Sequence, residues 1–508
     1  MHIFKNFKSN FVFLHINKIK YKMKRFATLL LILTAFTLPL KLSAQSNNIQ
    51  EYVDQMKYDT LFRDAVVGIM VMDSKGKTVA SWNPDMPLLT ASTMKTITTG
   101  LSLKILGPDF RFITKIGHTG FVKNGVLYGD LFIVGGGDPT LGSRDTVATP
   151  VSEVFEEWLK AISDAGIVRI NGSVVADDRF FADEAIPESW TWSNLGPSFG
   201  SAASGLSFCE NAQYFKFIPG KYIGDKVFLE SVYPVIPQME YRNDLVTSGS
   251  STGDRSSYFV SDLAKVGEFR GSLPAGRDSV IVSGSNKFAP LSCAWEFRNF
   301  LANRGIMSDP EVKDAKAYNA PSFYELKIIG ETQSRTLSSI VNVTNRISNN
   351  FYAETLFKMI GKKITGVGSF DSSKIAVQRL LDEMGLSGKG HTQIDGSGLS
   401  RQDYVSARFF CNYFSKIKES DNFDKFFESL PRPGGPGTLK NVLSKVEIGE
   451  KSKIHAKSGS LANVKCYAGY VERSGGEMYY FAILTNNYAA RTSQIQVGVE
   501  GFMRELVR

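Results

Sequence analysis

Apolar and polar positions along the first third of the chain predict strands followed by a helix. The apolar run 65–73 and the segment 78–82 are separated by the polar turn Ser74–Lys77, which predicts a β-hairpin. Residues 92–106 then follow the helical period, and Gly107-Pro108 ends the predicted helix.

The rest of the chain continues this mixture. Asn124-Gly125 between two apolar runs predicts a second hairpin, and residues 152–165 predict an amphipathic helix. The stretch from about 190 to 335 is rich in short β-type runs. Three helical segments and a closing hairpin follow, at 337–346, 351–360, 374–384, 464–471 and 478–485. We therefore predict one α/β domain that is split by a large β-rich insertion.

Length and charge narrow the possible functions. At 508 residues the chain is long enough for two or three domains. Its formal net charge of +9 comes almost entirely from residues 1–44, which hold eight basic and no acidic residues. The remainder is close to neutral, which argues against nucleic acid as a partner.

The N-terminal segment has the features of an export signal. Lys24-Arg25 precede the apolar run 26–40, and Leu42-Ser43-Ala44 form a small-residue cleavage site. We expect an exported protein, periplasmic or associated with the cell envelope after cleavage near Ala44. An uncleaved anchor is the alternative, Met23 is an alternative start, and peripheral contact with the membrane stays open.

The cysteines and histidines give no metal-binding pattern. Four cysteines are scattered without CxxC spacing, and we interpret them as reduced core residues, although export would permit disulfides. The three histidines beyond the export signal form no HExxH pattern. We expect neither a metal nor another cofactor. The cysteines are Cys209, Cys293, Cys411 and Cys466.

A nucleophile and a base are predicted at the start of the 92–106 helix. Ser92 and Lys95 form an SxxK element, and residues three apart share one helical face. A serine hydroxyl needs a neighbouring base, and a desolvated neutral lysine can supply it. Two other SxxK matches, Ser74–Lys77 and Ser415–Lys418, are interpreted as surface.

Two further elements lie far along the chain. Ser348-Asn349-Asn350, between two helices, can project both outer side chains from one bend, although a plain helix cap is the alternative. Lys457-Ser458-Gly459 precedes an apolar strand, so an edge strand could present a cation, a hydroxyl and a close-approach glycine. A simple loop before a strand is the alternative there.

The three elements in this order resemble the penicillin-recognising serine acyl-enzymes. The closest resemblance is to the low-molecular-mass class C penicillin-binding proteins, the D-alanyl-D-alanine carboxypeptidase/endopeptidases. The long separation of Ser92 from Ser348 argues against a compact β-lactamase. The resemblance spans essentially the whole chain after the export signal and includes the segments 132–141, 395–401, 437–439 and 455–461.

The resemblance implies a fold and a domain order. A penicillin-binding, β-lactamase-like catalytic domain of the α/β (α+β) class is expected to be interrupted by a β-rich domain, which itself contains a nested third domain. The expected bounds are 1–44 for the signal peptide, 45–112 and 335–508 for the catalytic domain, 113–138 and 213–334 for the inserted domain, and 139–212 for the nested domain.

The resemblance also implies catalytic roles. Ser92 attacks the carbonyl of the penultimate D-Ala while Lys95 accepts its proton. Ser348 relays a proton to the leaving amine, and Lys457 keeps that network charged. Asn350 hydrogen-bonds the backbone amide of the substrate.

Substrate contacts are implied for the third element. Lys457 and Ser458 would hold the terminal carboxylate, and the backbone N–H groups of Ser92 and Ser460 would form the oxyanion hole beside Gly459. Ser458 stands where the family usually has Thr, and the hydroxyl is retained.

A pocket for the substrate side chain is implied near Trp192–Phe199 and Arg401. Asn194 stands where diaminopimelate-type members have an acidic residue, and Ala462 replaces a longer amide side chain. We therefore expect preference for a different or amidated cross-link residue.

The implied partners are peptidoglycan stem peptides, with β-lactams as covalent inhibitors. Three alternatives remain. One is a Ser-His-Asp esterase built on Gly249–Gly253, a GxSxG match in a polar stretch that predicts a loop. The others are a non-catalytic cell-wall-binding protein and a β-lactamase.

Overall fold

The computed structural model describes residues 48–182, 184–318, 320–386 and 388–508. The predicted signal peptide, 1–44, lies outside them. The helices are α1 (48–58), α2 (Lys95–Leu106), α3 (Val151–Asp164), α4 (Trp192–Leu195), α5 (Ala289–Asn303), α6 (Leu337–Arg346), α7 (Asn350–Thr365), α8 (Phe370–Glu383), α9 (Ala407–Lys418), α10 (Phe423–Ser429), α11 (Ile448–Lys451) and α12 (Thr492–Val507).

The strands form several sheets and alternate with these helices. They are β1 (Val66–Met72), β2 (Thr78–Trp82), β3 (Leu88–Leu89), β4 (Ile113–His118), β5 (Phe121–Lys123), β6 (Val126–Tyr128), β7 (Leu131–Val134), β8 (Arg169–Asn171), β9 (Val174–Asp177), β10 (Ala212–Ile218), β11 (Phe228–Tyr233), β12 (Glu240–Ser248), β13 (Ser257–Val260), β14 (Val266–Pro274), β15 (Val280–Ser285), β16 (Val312–Asp314), β17 (Lys327–Gln333), β18 (His391–Thr392), β19 (Tyr404–Val405), β20 (Ile454–Leu461), β21 (Val464–Glu472) and β22 (Met478–Asn486).

The two ends of the described chain meet in one antiparallel sheet of order β2-β1-β22-β21-β20. Apolar side chains from α2 and from α6 to α10 cover one face, and those from α1 and α12 cover the other. The predicted strands near residues 65–82 and the predicted closing hairpin are present in this sheet. β20 lies at its edge, so one side of that strand is free of sheet pairing.

Helix α2 is buried although four of its residues are hydroxyl-bearing. The hydroxyl groups of Thr96, Thr99 and Ser102 donate hydrogen bonds to backbone carbonyls one turn earlier, at 2.7–2.8 Å. These bonds satisfy polar atoms that would otherwise cost free energy in the core. Gly100 lets Tyr413 approach, since a Cβ there would lie 2.2 Å from the Tyr413 hydroxyl oxygen. The helix that begins beside Ser92 is therefore held rigidly by its surroundings.

The insertion contains two groups of strands. A mixed sheet of order β16-β9-β7-β4-β17 packs against α3 and α5, around a core that includes Trp158 and Phe297. Residues 212–285 form two three-stranded sheets, β11-β10-β15 and β12-β14-β13, around Phe215 and Phe269.

This strand pairing groups residues differently from the predicted division of the insertion. Strand β9 lies in the predicted nested segment 139–212, but it pairs in parallel with β7 of segment 113–138. Similar short β-type runs do not reveal which distant run is their partner. Residues 212–285 pair mainly among themselves, and the division into domains stays a prediction.

Three other local predictions can be compared with the structure. Helix α5 lies within the stretch that was expected to be β-rich, and its apolar residues occupy several faces, which hides the helical period. Gly249–Gly253 lies in a turn after β12, as the loop prediction required. The prediction of reduced core cysteines is confirmed, since all four are free and buried. Within the described ranges, no helix is long and apolar enough to cross a membrane.

Candidate active site

Ser92 lies in a 3-10 turn, Ala91–Met94, that leads directly into α2. Lys95 is the first residue of the helix, and its Nζ lies 2.9 Å from the Ser92 Oγ. The Lys95 side chain is fully buried, whereas Ser92 is partly exposed. The spacing of three residues thus brings an amine within hydrogen-bonding distance of an accessible hydroxyl.

Two other acceptors surround the Lys95 amine. Its Nζ donates to the Asn350 Oδ1 at 2.7 Å and to the Ser397 carbonyl at 2.8 Å. A neutral amine has two N–H groups and one lone pair, so these two contacts leave the lone pair for the Ser92 O–H. Burial lowers the pKa of Lys95 to about 7, against the opposing charges of buried carboxylates. Lys95 is therefore equipped to accept a proton near neutral pH.

The second lysine of the cleft contacts the second serine. Lys457 on β20 donates from Nζ to the Ser348 Oγ and to the Ser458 carbonyl, both at 2.8 Å. Ser348 lies between α6 and α7 with a φ of 63°, in the left-handed region. Burial and the positive charge of Lys95 hold the pKa of Lys457 well below its usual range.

Asn349 explains how the bend holds its shape. Its Oδ1 accepts from the Tyr352 N–H at 3.0 Å, and its Nδ2 donates to the Glu210 Oε2 at 2.8 Å. The middle residue of the SxN element is thus the helix cap, as the alternative interpretation proposed. The cap also leaves Ser348 and Asn350 free to contact the two lysines, so both interpretations apply to one bend.

Strand β20 passes directly beside the start of α2. A Cβ at Gly459 would lie 2.5 Å from the Thr90 carbonyl oxygen and 3.0 Å from the Ser92 nitrogen. Only glycine permits this approach without a shift of the backbone. Along the strand, the Ser458 hydroxyl donates to the Thr438 Oγ1 at 3.1 Å, and Ser460 is exposed.

A cavity of about 460 Å³ opens beside Ser92, and Asn194, Phe199 and Arg401 of the predicted side-chain pocket line it, whereas Trp192 does not. Asn350 spans it, since its Nδ2 donates to the Phe199 carbonyl at 2.9 Å. The Arg401 guanidinium contacts the Ala462 carbonyl at 3.4 Å. The lining residues are Ser92, Thr191, Ser193, Asn194, Phe199, Asn350, Gly398, Leu399, Arg401, Ser460, Leu461 and Ala462. Among these described residues, no side chain is a carboxylate.

With this geometry established, comparison with known proteins gives a family. The model of the D-Ala-D-Ala carboxypeptidase 3 (S13) family matches residues 49–506. The chain belongs to this family.

Two carboxypeptidases are similar to this chain over most of its sequence. A D-alanyl-D-alanine carboxypeptidase of Actinomadura sp. (strain R39) is 25% identical over 477 residues, covering 88% of this chain and 82% of that protein. The D-alanyl-D-alanine carboxypeptidase DacB of Haemophilus influenzae is 22% identical over 425 residues, covering 82% and 84%. These relatives agree with the family match.

The fold is shared with a solved structure. The crystal structure of penicillin binding protein 4 from Haemophilus influenzae superposes with a TM-score of 0.77 at 22% identity, covering 89% of this chain and 98% of that one. A structure of the same protein complexed with a β-lactam gives a TM-score of 0.73. The predicted α/β, penicillin-binding-protein fold is confirmed.

Sequence reasoning missed several contacts of this S13-family site. Glu354 and Asp395 are fully buried carboxylates behind Lys95, and Thr438 lies beside Ser458. The available signal for Glu354 was its position four residues after Asn350, on the same helical face. Within the described ranges, no group of three or more His, Cys, Asp or Glu side chains is placed to hold a metal ion.

Proposed function

We propose that the protein is a serine-type D-Ala-D-Ala carboxypeptidase that forms an acyl-enzyme on Ser92. The observation that carries this proposal is the 2.9 Å distance between the Ser92 Oγ and the Lys95 Nζ, with the other Lys95 contacts made by Asn350 and Ser397. Membership of the S13 family supports the same substrate class.

The reaction begins at the carbonyl carbon of the penultimate D-Ala. The Ser92 oxygen forms a bond to that carbon while its proton passes to the Lys95 nitrogen. The C–N bond to the terminal D-Ala then breaks. Ser348 gives its proton to the leaving amine and takes up the proton that Lys95 had accepted, so both groups return to their starting states. In the second half, water attacks the ester carbonyl and gives a proton to Lys95; the bond to the Ser92 oxygen breaks, and Lys95 returns that proton to Ser92.

Substrate binding uses the other edge of the cleft. Lys457 and Ser458 receive the terminal carboxylate. The Ser458 O–H, which donates to the Thr438 Oγ1 in the free protein, turns to the carboxylate when the substrate binds. The second N–H of the Asn350 amide, beyond the one that Phe199 accepts, binds the substrate backbone. The N–H groups of Ser92 and of Ser460 stabilise the oxyanion.

Cross-link cleavage is part of the proposal. A cross-link made through D-Ala presents the same kind of bond between two D-centres, so a site for D-Ala-D-Ala also accepts it when the flanking chain fits. The cavity beside Ser92 has Arg401 and Asn194 but no described carboxylate. We therefore assign it to an amidated or uncharged side chain at the cross-link residue.

The cell-envelope setting and the inhibitors follow from the same proposal. Peptidoglycan lies outside the cytoplasmic membrane, so the N-terminal export signal agrees with this substrate. β-Lactams are proposed as covalent inhibitors that acylate Ser92. The complex of the related penicillin binding protein 4 with a β-lactam supports this.

Labelling with a fluorescent penicillin tests the proposal. We expect one label per chain, lost in Ser92→Ala and retained in Ser251→Ala, together with release of D-Ala from stem peptides. Absence of label and of D-Ala release would favour a non-catalytic binding protein. Rapid hydrolysis of the penicillin without a stable adduct would favour a β-lactamase, and loss of activity in Ser251→Ala would favour the esterase.

The pocket assignment has its own experiment. Stem peptides with a free amine or an amidated, uncharged group at the cross-link residue are compared by kcat/KM. Asn194→Asp should raise the preference for the free amine about tenfold, because it adds a carboxylate to the cavity. Asn194→Gln, which keeps an uncharged amide at that position, is the matched control and should leave the preference unchanged. A strong amine preference in the unmodified protein would contradict the assignment.

A further inference from the structure

Two buried carboxylates lie behind Lys95 and take no part in the steps proposed above. Glu354 is on α7, and Asp395 is in the loop between β18 and β19; both are fully buried. Burying a carboxylate costs several kcal/mol unless hydrogen bonds or charges compensate for it. The partners of these two groups therefore indicate what they do.

Glu354 holds two consecutive backbone N–H groups of that loop. Its Oε2 accepts from the Gly396 N–H at 2.8 Å, and its Oε1 accepts from the Ser397 N–H at 2.9 Å. A Cβ at Gly396 would lie 2.2 Å from the Ala353 carbonyl oxygen, so the loop packs directly on α7. The same face of α7 carries Asn350 one turn earlier. One helix thus positions both acceptors of the Lys95 amine.

Asp395 acts on the next peptide group. Its Oδ1 accepts from the Gly398 N–H at 2.6 Å. The carbonyl of that same peptide group belongs to Ser397, and it accepts from the Lys95 Nζ at 2.8 Å. Because a trans peptide is planar, its N–H and C=O point in opposite directions. Carboxylate, peptide and amine therefore form a chain of hydrogen bonds in which each bond polarises the next.

The charged groups that face Lys95 come from three elements. Glu354 is on α7, Asp395 and Asp403 are in the loop between β18 and β19, and Lys457 is on β20. Burial and the charge of Asp395 hold the pKa of Asp403 well above its usual range, which favours the neutral form of Asp403. Glu354 and Asp395 supply the attraction that opposes burial at Lys95. Burial and the charge of Asp395 raise the pKa of Glu354 to about 8, although its two backbone N–H partners and Lys95 favour its ionised form. Glu354 and Lys95 therefore titrate in the same pH range, as an interacting pair.

We propose that Glu354 and Asp395 are positioning residues for Lys95. Through the Ser397–Gly398 peptide they hold the amine against Ser92, and their negative charge keeps a proton available for return to the leaving amine. This inference rests on the proposed function, in which Lys95 is the base.

The pH dependence of acylation by a labelled penicillin tests the inference. Glu354→Gln removes the ionisable partner whose negative form stabilises protonated Lys95, so Lys95 loses its proton more readily and the acid limb should move to lower pH. Asp403→Asn is the matched control. An Asn accepts and donates as the protonated Asp403 does, so this change removes no charge and the limb should stay in place.

A purely structural role for Glu354 predicts a lower rate or lower thermal stability with the acid limb unmoved, and that result would overturn the inference. If Glu354→Gln does not fold, Asp395→Asn removes the other charge and gives the same comparison.

A measurement without turnover separates this inference from the proposed function. NMR titration of the Lys95 ¹³Cε and Glu354 ¹³Cδ resonances in the unmodified protein should show each curve inflecting where the other group titrates. Independent curves would overturn the inference even if acylation occurs. Absence of penicillin labelling in the unmodified protein would instead count against the proposed function.

Discussion

The cleft contains two buried lysines in opposite electrostatic surroundings. Lys95 lies in front of Glu354 and Asp395, whose charges oppose the effect of burial. Burial still prevails and lowers the pKa of Lys95 to about 7. This amine exchanges its proton near neutral pH.

Within the described part of the chain, no carboxylate acts on Lys457 in this way. Its contacts are the Ser348 hydroxyl and the Ser458 carbonyl, and the charges that act on it are those of Lys95 and Lys465. These positive charges and burial both disfavour the protonated amine, so the pKa of Lys457 lies well below its usual range.

The difference separates two tasks that one residue type performs in a single site. An amine with anionic neighbours can take and return a proton while its partners stay in place. An amine without an anion beside it is completed by an anionic ligand, such as a substrate carboxylate. The two lysines therefore differ in their tasks because carboxylates lie near Lys95, whereas positive charges act on Lys457.

The largest expected effect comes from removing the proton acceptor. Lys95→Ala should slow acylation by a labelled penicillin about 10⁴-fold, because the nucleophile then has no base. Lys77→Ala, in the exposed SxxK match of the first hairpin, is the matched control and should leave the rate unchanged. Acylation of the Lys95→Ala protein at the unmodified rate would remove the distinction between the lysines.

Removing the other lysine should change selectivity. We compare kcat/KM for a peptide with a free terminal carboxylate and for the same peptide with a terminal carboxamide. Lys457→Met should lower the preference for the carboxylate about 30-fold. This factor corresponds to about 2 kcal/mol, which is typical of a hydrogen bond to a charged group. Lys95→Ala should slow both peptides alike. An unchanged preference in Lys457→Met would show that the carboxylate binds elsewhere.

The acid limb should belong to Lys95 alone. Below pH 7 the base is increasingly protonated, so acylation should fall up to about tenfold per pH unit. The rate of penicillin acylation between pH 5 and 8 measures this. If the acid limb disappeared in Lys457→Met, the titration would belong to Lys457 and not to Lys95.

Features that depend on residues close together in the sequence could be predicted, and features that depend on contacts between distant residues could not. Helix α6 occupies its predicted residues, 337–346, and the closing hairpin is present, because both follow from local periodicity. The grouping of β9 with β7 depends on pairing between distant strands, which local patterns do not encode. Ser92, Lys95 and Lys457 were selected because they lie in short motifs.

Short sequence motifs could not predict which groups surround the two lysines. Glu354 is a single acidic residue in an apolar helix, and its partners are backbone N–H groups, which every residue has. Asp395 acts through a peptide group for the same reason. Sequence motifs therefore selected the reacting side chains, while their charge states needed the three-dimensional structure.

Proton uptake should distinguish the lysines on ligand binding. A substrate carboxylate beside Lys457 raises its pKa, so a D-Ala-D-Ala peptide binding to Ser92→Ala protein should take up as much as about one proton at neutral pH. Calorimetry in buffers of different ionisation enthalpy measures the uptake. The carboxamide peptide is the control and should take up less. Equal uptake for both peptides would contradict the role of Lys457.

The smallest effect is expected at Ser458, whose hydroxyl assists Lys457. Ser458→Ala should lower kcat/KM for a free-carboxylate peptide about fivefold, or about 1 kcal/mol, since the hydroxyl exchanges its bond to Thr438 for one to the carboxylate and the net gain is small. Ser458→Thr keeps the hydroxyl, and β-branched residues suit a strand, so its activity should stay within about twofold. Thr438→Val, which removes only the partner 3.1 Å from that hydroxyl, should lie between these variants. A loss in Ser458→Thr as large as in Ser458→Ala would show that space beside β20, and not the hydroxyl, limits carboxylate binding.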